Sequence, residues 1–222
     1  MKRAAVPFLL FLFGFVLGIL CLFPTAGRSS DRSSNPSAPG SSQAEGGEAS
    51  SFSSKDTAAL LRAAAGVAEA LKYQDYNALA NYVHPERGVT FTPYSTVNPE
   101  TDQKFTADQI RELAGDDTRY LWGYEDGRGE PIRRTISQFL EEFIFSVDYT
   151  QAPSVGVDEI VMSGNSLENL KDVYPDCRFV DLCYPSLDPA YEGLDWCSLK
   201  IVFAPTQSGW YLVGLIHSQW TI

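Results

Sequence analysis

Histidine, cysteine and basic residues are scarce in this sequence. Two of the 222 residues are histidines and four are cysteines, and no paired Cys/His spacing occurs among them. A zinc site is therefore not expected. The run EDGRG at residues 125–129 is followed neither by Gly-Lys-Ser/Thr nor by a predicted helix, so it indicates a hairpin turn rather than a phosphate loop. We expect no metal and no cofactor.

Acidic residues outnumber basic ones, 28 to 17. The excess lies in residues 55–222, which hold 13 basic and 25 acidic side chains, a net charge of −12. A domain with this charge repels phosphate backbones, so no nucleic acid partner is expected. Hydrophobic residues make up 44% of the chain and aromatic residues 13%, which provides enough apolar surface for a packed core.

An uncharged stretch, residues 4–23, follows Lys2 and Arg3. A helix of this length spans a hydrocarbon core of about 30 Å. The pattern predicts that residues 1–26 are a signal anchor or signal peptide and that residues 4–23 contact the membrane. Since the positive end stays inside, the C-terminal domain is expected outside the cytoplasm.

Two alternatives to a single-pass anchor stay open. Small residues near Thr25 allow cleavage by a signal peptidase, which would give a secreted protein. Cys21 raises the third option, a lipoprotein, but the bulky Leu20 before it does not fit a lipid-attachment site. We rank the anchor first, the cleaved signal second and the lipoprotein third.

Residues 27–54 contain eleven serines, four glycines and two prolines. This composition predicts a disordered linker. The rest of the chain, residues 55–222, has the length of one domain. Its helical patterns come first and its strand patterns last, which predicts an α+β fold with N-terminal helices packed on a curved, mostly antiparallel sheet.

The helix and strand signals are local. Asp56, Asp75 and Thr106 are expected to start helices. Capping-box pairs predict two more, at Thr135/Gln138 with an apolar stripe running to Val147, and at Asn165/Glu168. Strands are predicted at residues 118–124, 177–184, 196–204 and 210–222, the last two joined by a turn at 205–209.

The run AEALKYQDYNALANYVHPERGVTFTPY, residues 68–94, resembles the opening of the nuclear-transport-factor-two-like (SnoaL-type, cystatin-like) family. The terminal hairpin, residues 196–222, resembles that family's last two strands. Residues 95–176 depart from the pattern through extra helices and loops. The motifs HPERGV, FTADQI, WGYEDGRGEPI and DPAYEGLDW resemble a group of membrane-attached or secreted proteins of Gram-positive bacteria. The resemblance implies a cone-shaped fold whose mouth often holds a small apolar ligand.

Alternation along the last strand places Tyr211, His217 and Gln219 on one face, as polar groups of a ligand-binding wall. His217 equally fits a hydrogen-bonded structural role. Asp181 is expected on the face of its strand that carries Phe179 and Cys183. Because the catalytic pair of the resembled family is often an Asp with a His or Tyr, Asp181 with His217 is the implied dyad. An Asp181 on an edge strand facing water is the more ordinary alternative.

The other polar candidates are interpreted structurally. His84 is expected to act as a cation or donor that satisfies the free carbonyls at the end of the second helix, with a catalytic role as the alternative. The carboxylates of Asp188, Glu192 and Asp195 could hold calcium, but a solvated acidic loop is the favoured interpretation because their spacing is not that of a calcium loop.

A hairpin centred near Ala190 would place Cys183 opposite Cys197 on one face. The sequence therefore predicts a Cys183–Cys197 disulfide outside the cytoplasm, with Cys177 left over.

Two functions follow from these patterns. The first is a non-catalytic ligand- or partner-binding accessory domain at the bacterial cell envelope, with a small apolar ligand or an envelope protein as its partner. The alternative is a small-molecule isomerase, dehydratase or cyclase that uses Asp181 and His217. The enzyme requires both side chains to open into one cavity, so their geometry discriminates between the two.

Overall fold

The computed structural model describes residues 53–221. The predicted anchor, residues 1–26, and nearly all of the predicted linker, residues 27–54, lie outside the described residues. Every described residue belongs to one compact unit of the chain, 49–222. Within residues 53–221, no helix is long and apolar enough to cross a bilayer.

Residues 53–221 form five α-helices and eight strands. The helices are α1 (Ser54–Lys72), α2 (Tyr76–Tyr82), α3 (Ala107–Glu112), α4 (Ile136–Phe139) and α5 (Leu170–Val173). The strands are β1 (Val89–Thr92), β2 (Gln103–Phe105), β3 (Tyr120–Tyr124), β4 (Pro131–Arg134), β5 (Ser154–Val157), β6 (Arg178–Tyr184), β7 (Cys197–Thr206) and β8 (Gly209–Gln219). Short 3₁₀ turns occur at Tyr149–Gln151 and Pro189–Tyr191.

Side-chain caps define where several helices begin. Ser53 and Asp56 form a reciprocal capping box, so α1 starts two residues before the predicted cap, at Ser54. The predicted boxes at Thr106 and Thr135 are confirmed. The box predicted at Asn165/Glu168 is wrong, because α5 is a single turn that begins only at Leu170.

The helix that begins at Ile136 is shorter than its apolar stripe predicts. After Phe139 it continues as one π-helical turn, Leu140–Ile144, and then ends. Its apolar side is buried: Phe139 is fully buried and its ring stacks on Trp122 with centroids 3.9 Å apart. The helix therefore closes the core beside the β3–β4 hairpin.

A six-stranded sheet in the order β2-β1-β8-β7-β6-β5 forms the scaffold. Among the strand pairs of the described residues, only β1–β8 is parallel, and β3 pairs with β4 in a separate two-stranded sheet. Helix α1 and the π-helical turn pack on one face of the large sheet, called here the helix face. The opposite face, called the strap face, is covered by α5, by residues 93–102 and by residues 158–169. The predicted α+β class with a mostly antiparallel sheet is confirmed.

Strand β8 contains a bulge. Val202 pairs with Gly214 and Phe203 with Leu212, which leaves Val213 as the extra residue. Because of this extra residue, odd-numbered residues before the bulge lie on the opposite face of the sheet from odd-numbered residues after it. Strict alternation along β8 therefore fails at this point.

Candidate functional site

Asp181 and His217 lie on opposite faces of the sheet. Asp181 pairs with Lys200 on β7, whereas His217 pairs with Leu199, the neighbouring residue of the same strand. Successive residues of a strand point to opposite faces. The predicted Asp181/His217 dyad is therefore wrong, because the β6–β7 register is one residue away from the predicted one.

The same one-residue shift separates the cysteines. Cys183 pairs with Ser198, and Cys197 pairs with Tyr184, so the two thiols point to opposite faces. Cys177, Cys183 and Cys197 are all free thiols. The predicted Cys183–Cys197 disulfide is thus wrong. It required a strand register that places both cysteines on one face of the sheet, and the observed register is shifted from that one by one residue.

His217 is fully buried on the helix face. Its Nε2 lies 3.2 Å from Gln219 Oε1, and its ring meets Phe143 edge-on with centroids 6.0 Å apart. Burial lowers the pKa of His217 to about 4, so the imidazole is neutral near pH 7. This environment supports the structural interpretation of His217 rather than a group that meets a substrate.

Tyr211 does not join His217 and Gln219. Because of the bulge, Tyr211 pairs with Ala204 and lies on the strap face. There its ring is 6.1 Å from that of His84, edge to face. The predicted ligand-binding set of three residues is therefore split between the two faces. Nδ1 of His84 accepts hydrogen bonds from the N–H groups of Glu86 and Arg87, which holds the turn after α2.

Asp181 faces neither water nor a cavity; it is fully buried beside Lys200 on the strap face. Its Oδ2 accepts the Val161 N–H at 2.9 Å. Lys200 is also fully buried, and its ammonium donates to Glu168 Oε1 at 3.0 Å and to Ser218 Oγ. Burial raises the pKa of Asp181, and the Lys200 charge opposes that shift.

This buried polar cluster is enclosed. Ser95 donates to the Ser218 hydroxyl at 2.9 Å, within the same covered region. A second oxygen of each carboxylate, Asp181 Oδ1 and Glu168 Oε2, has no hydrogen-bond partner among the described residues. The cluster holds charged groups together inside the domain, and a substrate has no path to Asp181 or Lys200 without movement of the covering segment.

A cleft of about 500 Å³ opens on the surface where three segments meet. The segments are the β1–β2 connection, the end of β3 with the turn that follows it, and the segment before α5. The lining residues are Pro93, Tyr94, Thr96, Asn98, Thr101, Asp102, Gly123, Tyr124, Glu125, Asp126, Asn165, Ser166 and Leu167. A volume of this size lies in the range of small-molecule sites.

Carboxylates give the cleft its charge, and none of the thirteen lining residues is basic. Asp102 Oδ2 accepts hydrogen bonds from the Thr92 hydroxyl at 2.7 Å and from the Asn98 N–H at 3.0 Å. Burial raises the pKa of Asp102 to about 6. Asp126 is the opposite case, because hydroxyl donors from Ser166 and Thr221, each at 2.7 Å, lower its pKa.

Two tyrosines complete the lining. Tyr124 is 55% exposed at the end of β3, and Tyr94 packs its ring edge-on against Phe143 with centroids 5.8 Å apart. The sequence patterns missed Asp102, Asp126 and both tyrosines as site residues. These residues sit in irregular connections, where no periodicity marks a common face. Only the EDGRG turn around Asp126 gave a signal, and it indicated a hairpin rather than a site.

The acidic loop between β6 and β7 holds itself together. The Asp195 carboxylate accepts hydrogen bonds from the Ser186 hydroxyl at 3.2 Å and from the N–H groups of Leu187 and Asp188. Asp188 in turn caps the 3₁₀ turn that follows it. Within residues 53–221, no group of three or more His, Cys, Asp or Glu side chains is arranged to hold a metal ion.

Comparison with known proteins gives similarity at the level of solved structures. No protein-family model matches the sequence. No curated protein matches it either. A dehydratase candidate of the nuclear-transport-factor-two-like (NTF2-like) family from Streptomyces avermitilis is similar at 13% identity and a TM-score of 0.36, covering 76% of this chain and 99% of that one.

A second solved structure is a domain of unknown function with a cystatin-like fold from Nostoc punctiforme. It is 9% identical, with a TM-score of 0.35, and the match covers 77% of this chain and 81% of that one. Both structures have the family or fold that the sequence resembles. At these values neither similarity bears on the activity of this chain.

Proposed function

We propose that the domain is a non-catalytic ligand-binding accessory module of the cell envelope. The observation that carries the proposal is the separation of Asp181 and His217 on opposite faces of the sheet. Both are fully buried, so neither serves as a general acid or base at a shared cavity. Attachment through residues 4–23, with the domain outside the cytoplasm, completes the proposal and rests on the sequence.

The cleft is the binding site in this proposal. Three carboxylates, from Asp102, Glu125 and Asp126, line it without a basic neighbour in the lining. A cationic ligand gains from this arrangement, and the faces of Tyr94 and Tyr124 add cation–π attraction. Asn98 and Thr96 supply further hydrogen-bonding groups. We therefore propose a small organic cation as the ligand, in place of the small apolar molecule that the family resemblance implies.

Titration calorimetry with a matched pair of probes tests the proposal. 1,4-Diaminobutane and 1,4-butanediol have similar size and differ in charge. We expect the diamine to bind near pH 7.5 with a dissociation constant below about 1 mM, and the diol to bind at least about tenfold more weakly. Equal binding of both probes, or binding of neither, would refute the cationic ligand.

Variants separate the cleft from the overall negative charge. Asp126→Asn should weaken diamine binding about tenfold or more, because a carboxylate that faces the ligand is lost. Asp172→Asn is the matched control, since Asp172 is an exposed carboxylate on α5 outside the cleft lining. Equal losses in the two variants would mean that the diamine responds only to net charge.

A further inference from the structure

Residues 158–169 cross the strap face between β5 and α5 and adopt neither helix nor strand. This segment is called the strap. Its first part is fixed by two contacts: Asp158 accepts hydrogen bonds from Arg178 Nε at 2.7 Å and from the Phe179 N–H at 3.1 Å. Val161 then donates its N–H to Asp181. The second part is held to the large sheet by Glu168.

The partner of Glu168 is the fully buried ammonium of Lys200. Burying an ammonium costs free energy unless a counter-charge and hydrogen bonds accompany it. Lys200 lies in the interior of β7 and its side chain reaches no solvent, whereas the Glu168 side chain keeps 15% of its exposure. The lysine is therefore fixed by its strand, and the glutamate is the partner that comes to it.

The strap residues next to Glu168 form one wall of the cleft, namely Asn165, Ser166 and Leu167. The Leu167 carbonyl accepts the Thr96 hydroxyl at 2.7 Å across the cleft. Ser166 donates to Asp126 at 2.7 Å. The position of this wall thus sets the distance between the acidic groups of the hairpin and the β1–β2 connection.

We infer that Lys200 is a positioning residue for the cleft, which holds the wall at residues 165–167 in place through its ion pair with Glu168. The inference rests on the proposed function for its role in binding. The ion pair itself is independent of any ligand. Lys200 acts through the strap, because it lines the buried cluster and not the cleft.

Lys200→Met removes the charge and keeps a long apolar side chain on β7. Glu168, no longer paired, turns its carboxylate to water, and residues 162–168 lose the attachment to β7 that Glu168 supplies. The hydrogen bonds of Ser166 to Asp126 and of Thr96 to Leu167 stay, but they tie the wall to other irregular segments and not to the large sheet. Met162 and Leu167 are then cut by chymotrypsin at least about tenfold faster, because proteolysis follows the population of the open form. Leu167 is already 69% exposed, so loss of backbone fixation is what the cleavage rate reports.

The double variant Lys200→Met with Glu168→Met restores the wall. Two apolar side chains in place of a buried ion pair commonly keep or increase stability. We therefore expect slow cleavage in the double variant, and diamine affinity that falls in Lys200→Met and recovers in the double variant. Lys72→Met is the control. Lys72, the last residue of α1, forms an ion pair with Asp148 at 2.8 Å, and its side chain is 33% exposed and lies outside the cleft.

Each outcome decides one claim. Unchanged cleavage at residues 162–168 in both Lys200→Met and Glu168→Gln overturns the inference. Faster cleavage with unchanged diamine affinity also overturns the positioning role. If the wild type binds no diamine, the proposed function fails, and the cleavage rates of the single and double variants alone decide whether the pair holds the wall. A Lys200→Met protein that does not fold leaves Glu168→Gln and the double variant to give the same comparison.

Discussion

Phe139→Ala is expected to lower the free energy of unfolding by about 3–5 kcal/mol, the range for emptying a buried aromatic site. Phe139 is fully buried. Its ring stacks on Trp122 with centroids 3.9 Å apart and on Phe143 at 5.1 Å, and it meets Phe91 edge-on at 6.5 Å. The substitution removes all three ring contacts and leaves a cavity that the surrounding segments must close.

The magnitude belongs to the upper part of that range if the surroundings stay rigid. Trp122 is held by its own hydrogen bond, with Nε1 donating to the Arg134 carbonyl at 2.8 Å, so it cannot easily move into the cavity. Urea unfolding monitored by circular dichroism measures the change. Leu187→Ala is the control, because Leu187 is 50% exposed and should cost less than about 0.5 kcal/mol. A loss below about 1 kcal/mol for Phe139→Ala would show that α4 does not bury its apolar side against the β3–β4 hairpin.

Three further predictions concern protonation and redox state. Burial lowers the folded-state pKa of His217 from 6.5 to about 4. The free energy of unfolding should therefore fall as the pH drops below 6.5, by up to about 3 kcal/mol near pH 4, because the unfolded chain binds a proton that the folded one does not. His217→Gln should remove this contribution, as measured by urea melts at pH 7 and pH 4.5. Cys183 and Cys197 should both be alkylated in unreduced, denatured protein. In the native state Cys183 should react slowly, because it is fully buried and burial raises its pKa to about 12. A Cys183–Cys197 disulfide found by peptide mapping would contradict the register of β6 and β7. The affinity for the diamine should fall as the pH drops through about 6, where Asp102 becomes protonated. Asp102→Asn should flatten this dependence of affinity on pH. A pH dependence that is unchanged in the variant would show that Asp102 does not face the ligand.

Local signals predicted the domain well up to the level of single elements. The capping boxes at Thr106 and Thr135 are satisfied by residues three positions away, so a short window contains both partners. The terminal strands, whose apolar residues are buried on both faces of the sheet, were likewise found. The α+β class followed from their order along the chain.

Register could not be predicted in the same way. The loop between β6 and β7 contains a 3₁₀ turn and a left-handed residue, Glu192 with φ of 52°, and these set which residues of the two strands are opposite each other. A shift by one residue moves every side chain to the other face. That single shift accounts for both the incorrect disulfide and the incorrect Asp181/His217 dyad.

Long-range pairing accounts for the remaining errors. Asn165 and Glu168 have the spacing of a capping box, but the Glu168 carboxylate accepts a hydrogen bond from the ammonium of Lys200, 32 residues later in the chain. The bulge at Val213 places Tyr211 and His217 on opposite faces of the sheet. The bulge arises from the pairing of β8 with β7, which local alternation along β8 does not reveal. The cleft residues meet only because three irregular segments are tied together by contacts such as Ser166 to Asp126.

Mapping of backbone amide chemical shifts during titration with 1,4-diaminobutane tests the central claim most directly. The account predicts saturable shifts confined to residues 93–102, 123–126 and 165–167, with no comparable change around His217 and no chemical conversion of the probe. Shifts that cluster on the helix face around His217 and Gln219, or conversion of the probe during the titration, would contradict a binding module whose site is the acidic cleft.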